Sequence, residues 1–330
     1  MTSAADIDAP AMTAADTPPV PVVRAARGAA FDGIFEISCF SAATLLLLSL
    51  GGIVASLLIG GWPAFAKFGL TFFVSSEWNP VTEVYGAAGA IVGTLVSSAL
   101  ALLIALPLAV GVAIFLVELC PAILRRTIGT AVELLAGIPS IVYGMWGLFS
   151  FAPWFAKHIQ LPIMSAAPAG SIWETVTAGV PNGAGILSAS IILAIMILPF
   201  MAATLRELLL TVPTQVRESA FGLGSTTFEV IRNVSLPYIR TGAIGAVMLG
   251  LGRALGETMA VTFIIGNSHG FPTSLFASGS TIASTIANEF TEATGVLHTA
   301  SLIALGLVLF VITFVVLALA RLLIGKQVNL

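Results

Sequence analysis

The sequence predicts an all-α membrane protein with six transmembrane helices, and three observations carry that prediction. Of the 330 residues, 58% are hydrophobic and only 9% charged, with a mean hydropathy of +1.05; charged residues make up about a quarter of an ordinary soluble domain. Continuously apolar runs at about 37–60, 88–116, 128–152, 185–204, 239–266 and 298–322 each reach the roughly 20 residues that a helix needs to cross a bilayer. Their unbroken apolarity, rather than alternation, selects helices over barrel strands. Finally, the arginines fall in alternate loops. Arg24 and Arg27 precede the first span, Arg125 and Arg126 follow the second, Arg206, Arg217, Arg232 and Arg240 follow the fourth, and Arg321 and Lys326 close the chain. The other side carries only Lys67 and Lys157, so the positive-inside rule places both termini in the cytoplasm. The net charge of −3 adds nothing to this and gives no reason to expect a nucleic-acid partner; lipid is the implied surroundings.

Taken in order, residues 1–30 are rich in Ala, Pro, Thr and Asp and read as a disordered cytoplasmic tail. They lack the basic start and short apolar core of a secretory signal, so the first span reads as a retained anchor beside a transmembrane domain over 31–330. The outer loops at about 61–87, 153–184 and 267–297 hold all three histidines or lie next to them, together with Trp62, Trp78, Trp154 and Trp173, which read as interface anchors. Pro107 and Pro139 are expected to kink the second and third spans. Cys39 and Cys120, the only cysteines, read as small buried hydrophobes at span ends rather than a disulfide or metal ligands.

The inner loop at about 205–238 differs from the other loops in its helical, mixed-charge patterning. Thr214 is placed to cap a helix that opens near Gln215. Gly224 permits a tight change of direction, Ser225 or Thr226 starts a second short helix, and Pro237 marks a break before span five. The chain has no G-x-x-x-x-G-K-[ST] loop, no H-E-x-x-H and no G-x-S-x-G. Nucleotide binding by that loop, zinc hydrolysis and serine catalysis therefore have no support; a chain that moves a solute uphill without them draws its energy from a partner or an ion gradient.

The spacing Glu218-Ser219-Ala220, Gly224, Val234, Leu236-Pro237 resembles the E-A-A-x3-G-x9-I-x-L-P loop of bacterial ABC importer permeases. Ser219 and Val234 depart conservatively from the pattern. Glu133-Leu-Leu-Ala-Gly-Ile-Pro139-Ser-Ile-Val-Tyr143-Gly and Gly252-Arg253-Ala-Leu-Gly256-Glu257-Thr-Met-Ala-Val resemble segments of the phosphate-specific permeases. Pro272-Thr-Ser-Leu-Phe276 with Ile286-Ala-Asn288-Glu289-Phe points to their PstC-type subunits. The resemblance covers all but the N-terminal tail. It implies the type I importer architecture and half of a phosphate pathway in the bacterial plasma membrane. Its expected partners are a PstA-type second permease, two PstB-type cytoplasmic ATPases and a PstS-type outer binding protein. This chain would hold no cofactor of its own, with ATP and magnesium on the ATPase, and the 218–237 motif would be the docking site for that ATPase.

Arg253 and Glu257 are four residues apart and are expected to be neighbours on one helix face. Charges at mid-bilayer cost roughly 2.5–3.5 kcal/mol and usually face the bundle interior. One reading makes the pair a packing device. The other makes Arg253 a fork for an oxyanion in transit, steadied by Glu257, since a guanidinium matches phosphate geometry; the resemblance implies this second role. Gly252 and Gly256 form a G-x-x-x-G step that would admit a neighbouring helix. Glu133 reads as a snorkelling or capping residue. A permease for sulfate or molybdate, an ion-coupled secondary transporter, and an added signalling role are the alternatives, although no repeat of the kind secondary transporters carry is evident.

Overall fold

The computed structural model describes residues 29–168 and 170–328. The N-terminal tail expected over 1–30 lies, up to residue 28, outside the described residues, as do Arg24 and Arg27. The first helix, α1 (Ala29–Phe68), is longer than the predicted span. Its part up to Ile53 belongs to a separate compact unit; the described side chains there, Cys39 included, are mostly exposed.

In the second unit, from Val54 onward, the end of α1 is followed by a two-stranded antiparallel hairpin, β1 (Trp78–Asn79) with β2 (Val84–Tyr85), registered Trp78 to Tyr85. Helix α2 (Ala88–Leu119) carries Pro107 inside an uninterrupted helix and widens into a π-turn over Phe115–Leu119. Cys120 follows it, buried and free.

The third span departs from expectation. In place of one helix at 128–152, α3 (Ala122–Ala136) and α4 (Ser140–Ala166) meet at 86°. Gly137 ends α3, its N–H reaching the Leu134 carbonyl at 3.1 Å. Pro139 has no N–H to continue the ladder and disfavours helix at Ile138. Across the corner the Tyr143 hydroxyl donates to the Leu135 carbonyl at 3.0 Å. Because α4 runs on to Ala166, much of the stretch expected to be the outer loop at 153–184 is helical; a short α5 (Ile172–Thr177) comes after it.

Helix α6 (Ile186–Leu210) is the most buried of the spans and the centre of the main core. Ala101, Ala105, Ala109 and Ala113 on α2, all fully buried, form an i, i+4 stripe in the same core as Ile192, Leu193, Met196 and Ile197 of α6. After the short α7 (Thr214–Gly222), α8 (Thr227–Leu255) begins well before the predicted fifth span and ends before that span should. The expected break at Pro237 is absent. A π-turn over Ile231–Ser235 precedes it, with the Leu236 N–H reaching back to the Ile231 carbonyl; the widened ladder accommodates the proline, which sits in the first turn of the regular helix that follows. The chain breaks instead at Gly256, and α9 (Met259–Ile264) is a separate short helix. Helices α10 (Ile282–Glu289) and α11 (Val296–Val328) complete the unit. Among the described residues, five helices are long and apolar enough to cross a membrane, and the bent pair α3–α4 makes a sixth crossing if taken as one broken span.

A second core gathers beside the hairpin: Ala64, Phe72, Tyr85, Ile282 and the Ala300–Val308 face of α11. Gly93 is required there by space, because a Cβ would fall on the Ser280 carbonyl oxygen, and the neighbouring Thr94 Oγ1 accepts the Ile282 N–H at 2.9 Å.

Candidate functional site

The segment expected to dock the ATPase forms the short α7, one turn, and the start of α8. Helix α7 has Pro213 rather than Thr214 before its first residue, and no side chain caps it. Gly224 has φ +89, a conformation that costs an L-residue about 1–2 kcal/mol, while the space around its Cα is open. Its N–H reaches the Phe221 carbonyl at 2.9 Å, and the Ser225 N–H reaches that of Ala220 at 3.2 Å. Thr226 then opens α8 with a reciprocal box: the Glu229 N–H meets Thr226 Oγ1, and the Glu229 carboxylate accepts the Thr226 N–H at 2.8 Å. Glu218, Ser219, Gly224 and Pro237 are exposed, and Ala220, Val234 and Leu236 half-buried. Phe221, Leu223 and Phe228 also stand exposed here, an apolar surface on an otherwise polar turn.

Two arginines form ion pairs at the base of this element. Arg206, near the end of α6, reaches Glu133 of α3 at 2.7 Å and Glu207 at 2.9 Å. Glu133 thus pairs across two helices with its side chain half-exposed. Arg217 of α7 pairs with Glu118 in the π-turn of α2. Neither Arg217 nor Glu118 stands out in sequence, since the π-turn that turns Glu118 inward has no simple local signature.

Arg253 and Glu257 are not neighbours on one face. Arg253 lies in the last turn of α8, Gly256 ends that helix, and Glu257 follows the break. The Glu257 Oε1 accepts the Ala260 N–H at 3.2 Å, so this carboxylate caps the start of α9. Among the described residues there is no salt bridge between the two. Arg253 instead stands over the Phe200 ring, 5.8 Å from its centroid, and its Nε is buried without a hydrogen-bond partner. Tyr143, just past the corner of the third span, lies within electrostatic reach of the guanidinium. The expected Gly252–Gly256 helix contact is also absent: a Cβ on Gly252 would touch only Leu317 at 3.9 Å, and one on Gly256 only its own turn. The close approach is made elsewhere, where Gly144 of α4 lies against Met259 and Ala260 of α9. The bent third span thereby meets the helix that follows the Gly256 break.

Near the β1–β2 hairpin, Trp78 belongs to a polar cluster. Its Nε1–H donates to Glu289, whose carboxylate also binds His269 Nε2 and His298 Nε2, each at 2.8 Å. Trp78 stacks on His269 and Tyr85 on His298. Burial pushes the Glu289 carboxyl up, but the hydrogen bonds from His269, Trp78 and His298, with the charge of His269, outweigh it and hold the group below the usual carboxylate value. Sequence spacing has no means of finding this cluster, in which Trp78 reaches Glu289 across 211 positions.

Residues 105–327 match the family described as binding-protein-dependent transport system inner membrane component. A phosphate transport system permease protein PstC of Mesorhizobium japonicum is 54% identical over 308 residues, covering 92% of this chain and 94% of that one. The protein of the same name from Pasteurella multocida is 53% identical, covering 86% and 88%. The PstC 1 protein of Mycobacterium tuberculosis is 40% identical, covering 84% and 88%. Among solved structures, a chain of a bacterial alginate ABC transporter in complex with alginate-bound periplasmic protein overlays with a TM-score of 0.57 at 17% identity, covering 89% of this chain and 94% of that one. At that identity the likeness concerns the fold.

Proposed function

The chain belongs to the binding-protein-dependent transport system inner membrane components, among their PstC phosphate permeases, and on that premise we propose that Arg253 offers its guanidinium to phosphate in transit. The protein is a multi-pass plasma-membrane permease subunit of an ATP-driven phosphate importer. It works with a separate ATPase and an outer binding protein and is not itself an enzyme. The observation that carries the role of Arg253 is its buried Nε without an intramolecular partner, just before the end of α8 at Gly256. A buried donor left unmatched is unfavourable, and a passing oxyanion supplies the missing acceptor in the planar geometry a guanidinium prefers. Glu257 keeps the hinge between α8 and α9 in shape, and its negative charge opposes over-tight retention of the anion.

The remaining parts follow. A PstA-type permease completes the pathway. Two PstB-type ATPases hold ATP and magnesium and grip Glu218, Ser219, Ala220, Gly224, Val234, Leu236 and Pro237, supported by the exposure of the turn and its apolar tip. A PstS-type protein delivers phosphate at the outer end, and both termini face the cytoplasm, as the arginine distribution supports. Closure of the ATPases biases the subunit between outward- and inward-open states through differential contacts at this loop.

The test is a reconstituted four-component complex in vesicles. Phosphate uptake should require ATP and the binding protein, and should survive excess sulfate and molybdate. Arg253→Ala should abolish uptake while the ATPase still co-purifies. Full uptake by that variant would sink the pathway role, and uptake driven by an ion gradient alone would sink the ABC reading.

A further inference from the structure

Helix α7 is joined to the inner end of α2 by a charge pair that the docking motif does not include. Arg217 Nη2 meets Glu118 Oε2, with the Glu118 side chain 6% exposed and that of Arg217 20% exposed. Glu118 is carried on the π-turn Phe115–Leu119, after buried Leu116 and Val117 and before exposed Leu119. A carboxylate in that position is strongly unfavourable once its cation is removed, because burial withdraws the water that would otherwise solvate it. Arg217 therefore has a restoring force on it whenever α7 shifts. On the same short helix the next two residues, Glu218 and Ser219, are exposed, so Arg217 is directed inward, away from the surface that a motor would hold. At its other end the bond acts on α2, whose alanine stripe shares the main core with α6.

We propose that Arg217 and Glu118 are positioning residues for transport, forming the link by which displacement of the docking helix is passed to the second span. The link is separate from docking itself. It rests on the ATP-driven import reading given above. Loss of the link leaves the motor attached and hydrolysing but lets α7 move without drawing α2 with it, so hydrolysis continues with little import. A pair that serves stability alone would lower the amount of intact complex without changing how much phosphate each hydrolysed ATP brings in. A pair that serves docking would lower ATPase retention and import together.

The experiment compares wild type, Glu118→Gln, Arg217→Ala, Arg217→Lys and the exchange Glu118→Arg with Arg217→Glu in the reconstituted complex. It reads ATPase retention on purification, ATP hydrolysis, and phosphate imported per ATP. In Glu118→Gln and Arg217→Ala the ATPase should be retained, while import per ATP falls several-fold. Arg217→Lys should recover part of the ratio, and the exchange more of it. Should Arg217→Ala fail to assemble, the near-isosteric Glu118→Gln decides. An unchanged import-to-ATP ratio in Glu118→Gln overturns the proposal, as does loss of ATPase from the complex in step with import. Failure of the wild-type complex to import phosphate with ATP strikes the underlying reading instead, so the two failures are distinguishable.

Discussion

Glu257 caps the helix beyond the Gly256 break through the Ala260 N–H, while Arg253, on the near side of that break, points its guanidinium at Phe200. Two residues of opposite charge at helical spacing are thus held apart by a change in backbone direction. Their roles should separate on mutation. Glu257→Gln keeps an acceptor for Ala260 but removes the charge and should lower uptake through slower release of the anion, whereas Glu257→Ala also frees the N–H and should lose most of it. Because no direct pair exists, the double exchange Arg253→Glu with Glu257→Arg should not restore uptake. Restoration, measured as phosphate entering vesicles, would show that the charges pair during the cycle.

Gly224 is required by backbone conformation rather than by crowding. Gly224→Ala should destabilise the turn by about 1–2 kcal/mol and reduce ATPase retention several-fold. Gly224→Asn, which tolerates this conformation better, should fall between the two. Equal retention by all three proteins would remove the turn from the docking surface.

Gly93 is required by crowding, since its Cα faces the Ser280 carbonyl. Gly93→Ala should cost about 1–3 kcal/mol through a forced backbone shift. The loss should appear as a lower thermal midpoint of the purified complex, together with loosened protection of the Ile282 amide, which is bound to Thr94, in hydrogen exchange.

The Glu289 cluster has a pH signature. The Glu289 carboxyl is depressed in the native protein, so its contribution is fully present above the unfolded carboxyl's value. It is lost as pH falls below about 4.5 and through the lower native value. The wild-type complex should therefore lose thermal stability over this acid range more steeply than Glu289→Gln, which has no such group to titrate. Parallel curves would mean that the three hydrogen bonds do not favour the charged form.

Much of this arrangement was legible in the residues. Apolar runs located the spans because hydrophobic length is a one-dimensional property, and the docking turn was legible because Gly224 and the Thr226–Glu229 box act locally. The corner at Pro139 was expected only as a kink; its 86° angle depends on Gly137 and on the Tyr143–Leu135 bond as well. Reading Arg253 and Glu257 as helix neighbours failed because hydropathy does not register a break at Gly256 when apolar residues resume at Met259. Pro237 misled in the opposite sense, since a π-turn two residues earlier absorbs it. The Glu289 cluster and the Arg217–Glu118 pair join distant segments and have no local pattern to detect.

The alanine stripe on α2 bears on how the molecule switches. Ala101, Ala105, Ala109 and Ala113 have no side-chain torsion to reset, so α6 meets a low, even surface where leucines would present interlocking ridges. On such a surface a small axial shift of α6 meets no interlocking ridge, although exchanging one methyl contact for the next takes about 6 Å, four residues at 1.5 Å each. Replacing one of these alanines with leucine would act as a brake rather than as simple overpacking, slowing turnover even in a complex that still assembles.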